Sequence, residues 1–222
     1  MAINSASGQR NVGTVEAHLA RLAGEGSACH LHALALGSAS TPRVSRDLAD
    51  AVHLLCAIHG KFPGLADIAC AVSQSPARDW LRATADSFER ERLYLVRLTS
   101  AVGPLPSTAG AAATESALVA QRRAIETLAR SERNGCALGA TTALVHDWQQ
   151  IRAILDRAAE RTGMESPPSS LPDNASIAEA IAVGTDGPAS ERAMAFGAEQ
   201  LLLQHRALFD ILEARAGARE DL

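Results

Sequence analysis

The sequence predicts an all-α protein, an antiparallel, up-and-down helical bundle of about five long helices plus one or two short ones. Hydrophobic residues make up 47% of the 222 residues and aromatic residues only 3%, so most of the apolar content is alanine and leucine, which favour helices. Residues that favour strands are sparse, with one Tyr and two Trp. Apolar positions also recur with the period of a helix between breaks that contain Gly and Pro.

The first helical pattern begins at Thr14, after residues 1–12, which show no apolar period and are predicted to be disordered. The pattern continues to Gly37, a residue type that often ends a helix. Gly24 and Gly26 leave open whether this stretch forms one helix or two.

The remaining helices follow from apolar stripes and from the residues that interrupt them. Pro is favoured in the first turn of a helix, and clusters such as GPLPSTAG end one. These signals predict helices over Val44–His59, Gly64–Ser73 (short), Pro76–Val102, Ala112–Glu132, Cys136–Thr162, Ala175–Val183 (short) and Pro188–Ala216.

We expect residues 13–222 to form one helical-bundle domain. The segment 163–174 contains ESPPSSLPDN and is the best linker candidate in the chain. Whether residues 175–222 pack in the same bundle is left open by the pattern.

Small residues form a smooth strip on the fifth long helix, where Gly135, Gly139 and Ala143 are spaced four apart. Such a strip allows a neighbouring backbone to approach closely, either within the bundle or across a dimer contact. The alanine- and glycine-rich helix faces exceed what one bundle should need to bury. We therefore expect a homodimer.

Composition argues against several kinds of partner. The net charge of −4, with acidic and basic residues interspersed, provides no broad field for nucleic acid or anionic lipid. No run of about 18 uncharged apolar residues could span a membrane. The N-terminus lacks the pattern of a secretory signal, and the four cysteines lack CxxC spacing, so we expect a cytoplasmic protein with reduced thiols.

Residues 64–83 resemble the first helix and turn of a helix-turn-helix DNA-binding motif, which implies DNA binding as a third functional class. The match then departs from the motif. Ser73 stands where the motif has a turn glycine, and Asp79 and Arg82 occupy positions that should be apolar.

His53, Cys56 and His59 are spaced three apart on one predicted helix. Each three-residue step turns about 60° around the axis, so His53 and His59 are about 120° apart and do not readily share an ion with Cys56. We interpret Cys56 as a core residue and His59 as a cationic residue that favours the helix C-terminus.

Polar residues interrupt the apolar stripes of three other helices, at Glu91, Gln121 and His205. Their convergence on an interior site is one interpretation, and a position at the stripe edge with access to solvent is the other. Arg92 is expected to be exposed. The side of the fifth long helix that carries His146 and Asp147 is expected to be an alanine-packed contact surface or solvated, with His146 at a cleft as a further alternative. The ligand-binding candidates are Glu91, Gln121, His205 and His53, and the metal-ligand candidates are Glu91, His205, His53 and Cys56.

The sequence carries no nucleophile elbow and no phosphate loop. We therefore predict an interaction or small-ligand-binding protein. The alternative is a metal- or cofactor-dependent bundle enzyme that uses Glu91, Gln121 and His205, with His53 as an additional candidate. That alternative resembles ferritin-like di-iron proteins in architecture only, because no Glu-x-x-His motif is present.

Overall fold

The computed structural model describes residues 3–38 and 44–220, and this part of the chain is all-α without a strand. A short 3-10 turn, Ser27–Cys29, separates the first two helices. The α-helices are α1 (Ile3–Glu25), α2 (Leu31–Ser38), α3 (Val44–His59), α4 (Leu65–Val72), α5 (Arg78–Ala101), α6 (Ala111–Ala129), α7 (Cys136–Thr162), α8 (Asn174–Gly184) and α9 (Pro188–Glu220).

The helix bounds agree closely with the predicted ones, and those of α3 and α7 are identical to them. The stretch from Thr14 to Gly37 is two helices, which was one of its two interpretations. Helix α1 begins at Ile3, so the described part of the segment 1–12 is helical although the sequence predicts disorder. The up-and-down order of the helices and the single-domain organisation of residues 13–222 stay predictions.

Local chemistry accounts for several helix ends. Helix α8 begins after Asp173, whose side chain accepts a 2.8 Å hydrogen bond from the backbone N–H of Ser176. Helix α7 ends at Gly163, where φ is +71° and a side chain would be strained. Helix α9 begins with Pro188, whose missing N–H costs nothing in the first turn.

Helix α7 lies at the centre of the fold and crosses α9 at very short range. A Cβ atom added to Gly139 on α7 would lie 1.9 Å from the carbonyl oxygen of Met194 on α9. A Cβ atom on Gly197 of α9 would lie 2.0 Å from the carbonyl oxygen of Cys136 on α7. The glycine strip therefore forms an internal helix crossing, one of the two uses that the spacing predicts.

Residues 164–173, which we call the strap, run without helix across α5 and α7 to the start of α8. The hydroxyl of Ser166 lies 2.9 Å from that of Tyr94, and Arg90 Nε donates a 2.7 Å hydrogen bond to Ser170. Leu171 and Met164 pack against the main core. The segment predicted as a linker is thus fastened to the helices on both sides of it.

The described helices include none that is both long enough and apolar enough to cross a bilayer.

Candidate functional site

A chain of buried polar groups joins four parts of the fold at Asp147 and His205. His205 Nδ1 donates a 2.6 Å hydrogen bond to Asp147 Oδ2, and His205 Nε2 lies 3.1 Å from His59 Nε2. The backbone N–H and the hydroxyl of Ser27 both donate to Asp147 Oδ1, at 2.7 and 2.9 Å. His205 is 0% exposed and Asp147 is 2% exposed, so this row of hydrogen-bonded polar groups is buried inside the protein.

The charges in this chain follow from burial and hydrogen bonding. Burial opposes ionisation of Asp147, but hydrogen bonds from His205 and Ser27 outweigh it and hold the Asp147 pKa below its usual value. Burial, together with the charges of His205 and Arg92, holds the pKa of His59 well below the usual 6.5. Asp147 is therefore an anion and His59 is neutral at pH 7, so one proton lies between the two Nε2 atoms.

The 3-10 turn approaches Asp147 closely because residue 26 is glycine. A Cβ atom there would lie 2.3 Å from Asp147 Oδ1. The Ser27 hydroxyl donates directly to this carboxylate, whereas in a Ser-His-Asp triad a histidine stands between the serine and the acid. In this geometry the row of hydrogen-bonded polar groups connects the 3-10 turn with α3, α7 and α9.

A second buried network surrounds Glu91 on α5. Arg152 Nη1 donates to both carboxylate oxygens of Glu91, at 2.9 and 3.0 Å, and Trp148 Nε1 donates to Oε2 at 3.1 Å. Glu91 is 2% exposed and Arg152 8%, so this is a buried ion pair between α5 and α7. Every oxygen of the carboxylate has a partner, as a buried charge requires.

Arg152 extends the second network to the strap. Its Nε donates a 2.7 Å hydrogen bond to Asp156, and its Nη2 donates to the carbonyl of Pro167. The Tyr94 hydroxyl also donates to Asp156, and the Arg152 guanidinium lies 4.4 Å from the centre of the Tyr94 ring. Burial, with the nearby Asp156, raises the pKa of Tyr94 to about 12.

Aromatic rings connect the two networks. The His59 ring centre lies 5.0 Å from that of His205 and 5.3 Å from that of Trp148. Phe88 packs edge-on to Trp148 at 4.7 Å. The contact between His59 and Trp148 therefore links the network of His205 to that of Glu91.

The other predicted site residues have separate environments. The Gln121 side-chain N–H donates to the Gln204 carbonyl at 3.4 Å, next to His205, and its own oxygen has no partner among the described residues. His53 Nε2 donates a 2.8 Å hydrogen bond to the Gly103 carbonyl and takes no part in either network. Cys56 is half-buried against the core.

The candidate metal ligands do not form a group of three whose ligand atoms lie close together in the described structure. Within residues 3–38 and 44–220, His30, Asp210 and Glu213 form the one group of three whose ligand atoms lie close enough to share an ion, and none of them was a candidate. The backbone N–H of His32 donates to His30 Nδ1, so the ring proton sits on Nε2 and points at Asp210, 3.0 Å away. The nitrogen that faces the acids is thus a donor and not a metal ligand.

Three predictions, two of exposure and one of charge, were wrong because they treated each helix alone. The expectation that Arg92 is exposed fails, because it is 4% exposed and donates a hydrogen bond to Asp67. Asp147 lies in the core, so the solvated alternative for its side of α7 is wrong, and His59 is a buried neutral base at its helix end. Glu91, Gln121 and His205 are all buried, which rules out solvent access at a stripe edge.

The sequence analysis did not identify two central residues of these networks, Arg152 and Asp147. Both interrupt the apolar pattern of α7, as Glu91 does in α5, so the same test of stripe positions could have found them. A further buried cluster was also missed. There the fully buried Asp50 accepts hydrogen bonds from Arg215 at 2.8 Å and from Arg219 at 2.6 Å, which fastens α9 to α3.

A cavity of about 270 Å³ lies between the strap and α7, beside the second network. Trp148, Gln149 and Arg152 line it from α7, and Ser169, Leu171, Pro172 and Asp173 line it from the strap. We call it the strap cavity. Its inner wall is held in place by the hydrogen bonds of Arg152 and Trp148 to Glu91.

A comparison with known protein families matches most of the chain. The model of a family of unknown function (DUF6975) matches residues 22–220, which include both buried networks, the strap and the helix crossing. The chain belongs to this family. No curated protein and no solved structure matches it.

The buried histidines of this DUF6975 member predict a loss of stability in mild acid. Burial lowers the His59 pKa, and burial, helped by Arg21 and His146, lowers that of His18 from 6.5 to about 4. As the pH falls below about 6.5, His18 and His59 become protonated in the unfolded chain but stay neutral in the folded protein. The free energy of unfolding should therefore fall, by up to about 1.4 kcal/mol per pH unit for each histidine.

Urea unfolding at several pH values between about 7.5 and 5 measures how the free energy of unfolding depends on pH. His18→Gln removes one titrating group while keeping a donor for the Thr142 hydroxyl, 2.9 Å from His18 Nε2. In this variant the free energy of unfolding should depend less steeply on pH, because unfolding takes up about one proton fewer than in the wild type. A wild-type stability that does not change from pH 6.5 to pH 5 would contradict the prediction.

Proposed function

We propose that the protein binds a small molecule in the strap cavity. The observation that carries this proposal is a cavity of about 270 Å³ whose inner wall consists of side chains that a buried ion pair holds rigid. Binding sites combine an enclosed space with a few well-oriented polar groups, and rigid walls lower the entropy cost of binding.

The charges around the strap cavity indicate the class of ligand. Arg152 is the cation in its lining, and its guanidinium already pairs with Glu91 and Asp156. Asp173, also in the lining, is an acid. An anionic ligand would find no uncompensated positive charge there, so a neutral or cationic molecule with hydrogen-bonding groups fits best.

Trp148 provides a direct test. In Trp80→Phe it is the single tryptophan, and it lines the cavity. We expect neutral and cationic fragments to change its emission saturably and to raise the melting temperature. Ser169→Phe should abolish both responses by filling the cavity, and Pro168→Phe, on the exposed neighbouring residue, should leave them intact.

Two outcomes would overturn the proposal. One is a fragment set that produces no saturable response in Trp80→Phe. The other is binding that is equally strong in Ser169→Phe and Pro168→Phe, since the ligand would then occupy another site.

We also propose that the chain forms a homodimer, on different grounds from the glycine strip, which α9 covers. Leu93 and Val96 lie one helical turn apart on α5 and are 56% and 45% exposed. A second copy could bury this pair. Light scattering should give twice the chain mass of 23.2 kDa, and Leu93→Glu should reduce it to one chain mass. A wild-type species of one chain mass would contradict the proposal.

A further inference from the structure

A second cavity lies at the other end of α8 from the strap cavity. It is a groove of about 550 Å³ between the turn that joins α6 to α7 and the start of α9. Arg133, Arg192 and Phe196 line it, together with Asn134 and Asp186. The groove lies beside the start of α7, and Trp148 of the strap cavity lies about 12 residues, or roughly 18 Å, further along that helix. The two cavities are therefore distinct.

The two arginines in this groove lack the acidic partners that Arg152 has. Neither Arg133 nor Arg192 forms an ion pair with a carboxylate anywhere in the described ranges. The acid in the lining, Asp186, accepts a 3.2 Å hydrogen bond from the Asn134 amide. Two unpaired guanidinium groups from separate elements therefore face one groove, an arrangement that suits a phosphate, whose oxygens accept from several directions.

Phe196 adds an aromatic surface beside these charges. Phe196 is 42% exposed, which is high for a residue with so large an apolar side chain. The Arg133 guanidinium lies 5.7 Å from the ring centre, so the cationic and the aromatic parts of the groove adjoin. A volume of about 550 Å³ is much larger than a lone phosphate needs and is in the usual range for small-molecule sites.

We infer that this groove binds a small molecule in which a phosphate group is joined to a planar ring system, as in a nucleoside monophosphate. Arg133 and Arg192 hold the phosphate, and Phe196 offers the ring system an aromatic contact on the side that the Arg133 guanidinium leaves free. Asp186 lies where it can accept a hydrogen bond from a hydroxyl or amino group of the ligand. The inference does not depend on the function proposed for the strap cavity.

Calorimetry with AMP, adenosine and inorganic phosphate, at about 50 mM salt, tests the inference. AMP should bind saturably, and adenosine and phosphate should each bind at least about tenfold more weakly, since each lacks one half of the contacts. Arg133→Ala and Arg192→Ala should each weaken AMP binding about tenfold. Phe196→Ala should weaken AMP binding and leave that of phosphate unchanged.

Arg130→Ala is the matched control, because Arg130 is exposed in the same connection between α6 and α7 as Arg133 and lies outside the groove. It removes the same charge and should leave AMP binding unchanged. Ser169→Phe, in the strap cavity, should also leave it unchanged. The inference fails if AMP shows no saturable binding up to about 1 mM, if Arg130→Ala weakens binding as much as Arg133→Ala, or if phosphate binds as tightly as AMP.

Discussion

Glu91→Ala is expected to lower the free energy of unfolding by about 3–5 kcal/mol. The substitution removes the carboxylate that accepts both bonds from Arg152 Nη1 and leaves a guanidinium, 8% exposed, without its buried counterion, with only the more exposed Asp156 remaining. It also leaves the Trp148 N–H without an acceptor. Urea unfolding followed by circular dichroism measures the loss.

Asp86→Ala is the matched control, since Asp86 is exposed on the same helix, and it should change stability by less than about 0.5 kcal/mol. Glu91→Leu combined with Arg152→Leu should recover much of the loss, because it removes both charges together. If Glu91→Ala alone stays within about 1 kcal/mol of wild type, the ion pair does not hold α5 to α7 as described.

Gly139→Ala is expected to destabilise the protein by about 3 kcal/mol, at the upper end of what overpacking usually costs. The added methyl group would lie 1.9 Å from the Met194 carbonyl oxygen, a backbone atom that cannot rotate away. To accept it, α7 and α9 must separate, and that loosens the contacts of the helix at the centre of the fold. Thermal and urea unfolding both measure the effect.

Gly217→Ala provides a comparison on α9, because a Cβ atom at Gly217 would meet nothing within 4 Å. That substitution should stabilise the protein by about 0.4–1 kcal/mol, since alanine restricts the unfolded chain more than glycine does. Opposite signs for the two substitutions are the expected result. A stabilising Gly139→Ala would show that the two helices do not cross at this distance.

The helix bounds were predictable because local chemistry determines them. The apolar period and the flanking Gly and Pro residues placed α3 at Val44–His59 and α7 at Cys136–Thr162 without any knowledge of their neighbours. The spacing of Gly135 and Gly139 likewise predicted a close helix crossing. It left open whether the partner lay in the same chain, since that depends on where α9 packs.

The candidate site was predictable only in part. Glu91 and His205 were identified because a polar residue at an apolar stripe position points inward, and both are buried. Each has a different partner, Glu91 pairing with Arg152 and His205 with Asp147, and a shared binding site for the two stays a prediction. Those partners are 61 and 58 residues away along the chain, so no local pattern pairs them.

For this member of the DUF6975 family, helix content and helix ends follow from short-range preferences of the backbone and of nearby side chains. The choice of partner for each buried charge depends instead on how the helices pack, because an isolated charge cannot remain in the core. Packing also makes Arg92 a buried residue and fastens residues 164–173 over α7, although their composition is that of a linker. The groove lies between segments that are distant in the chain, and the strap cavity forms where the segment after α7 folds back onto that helix, so both emerge only from the folded structure.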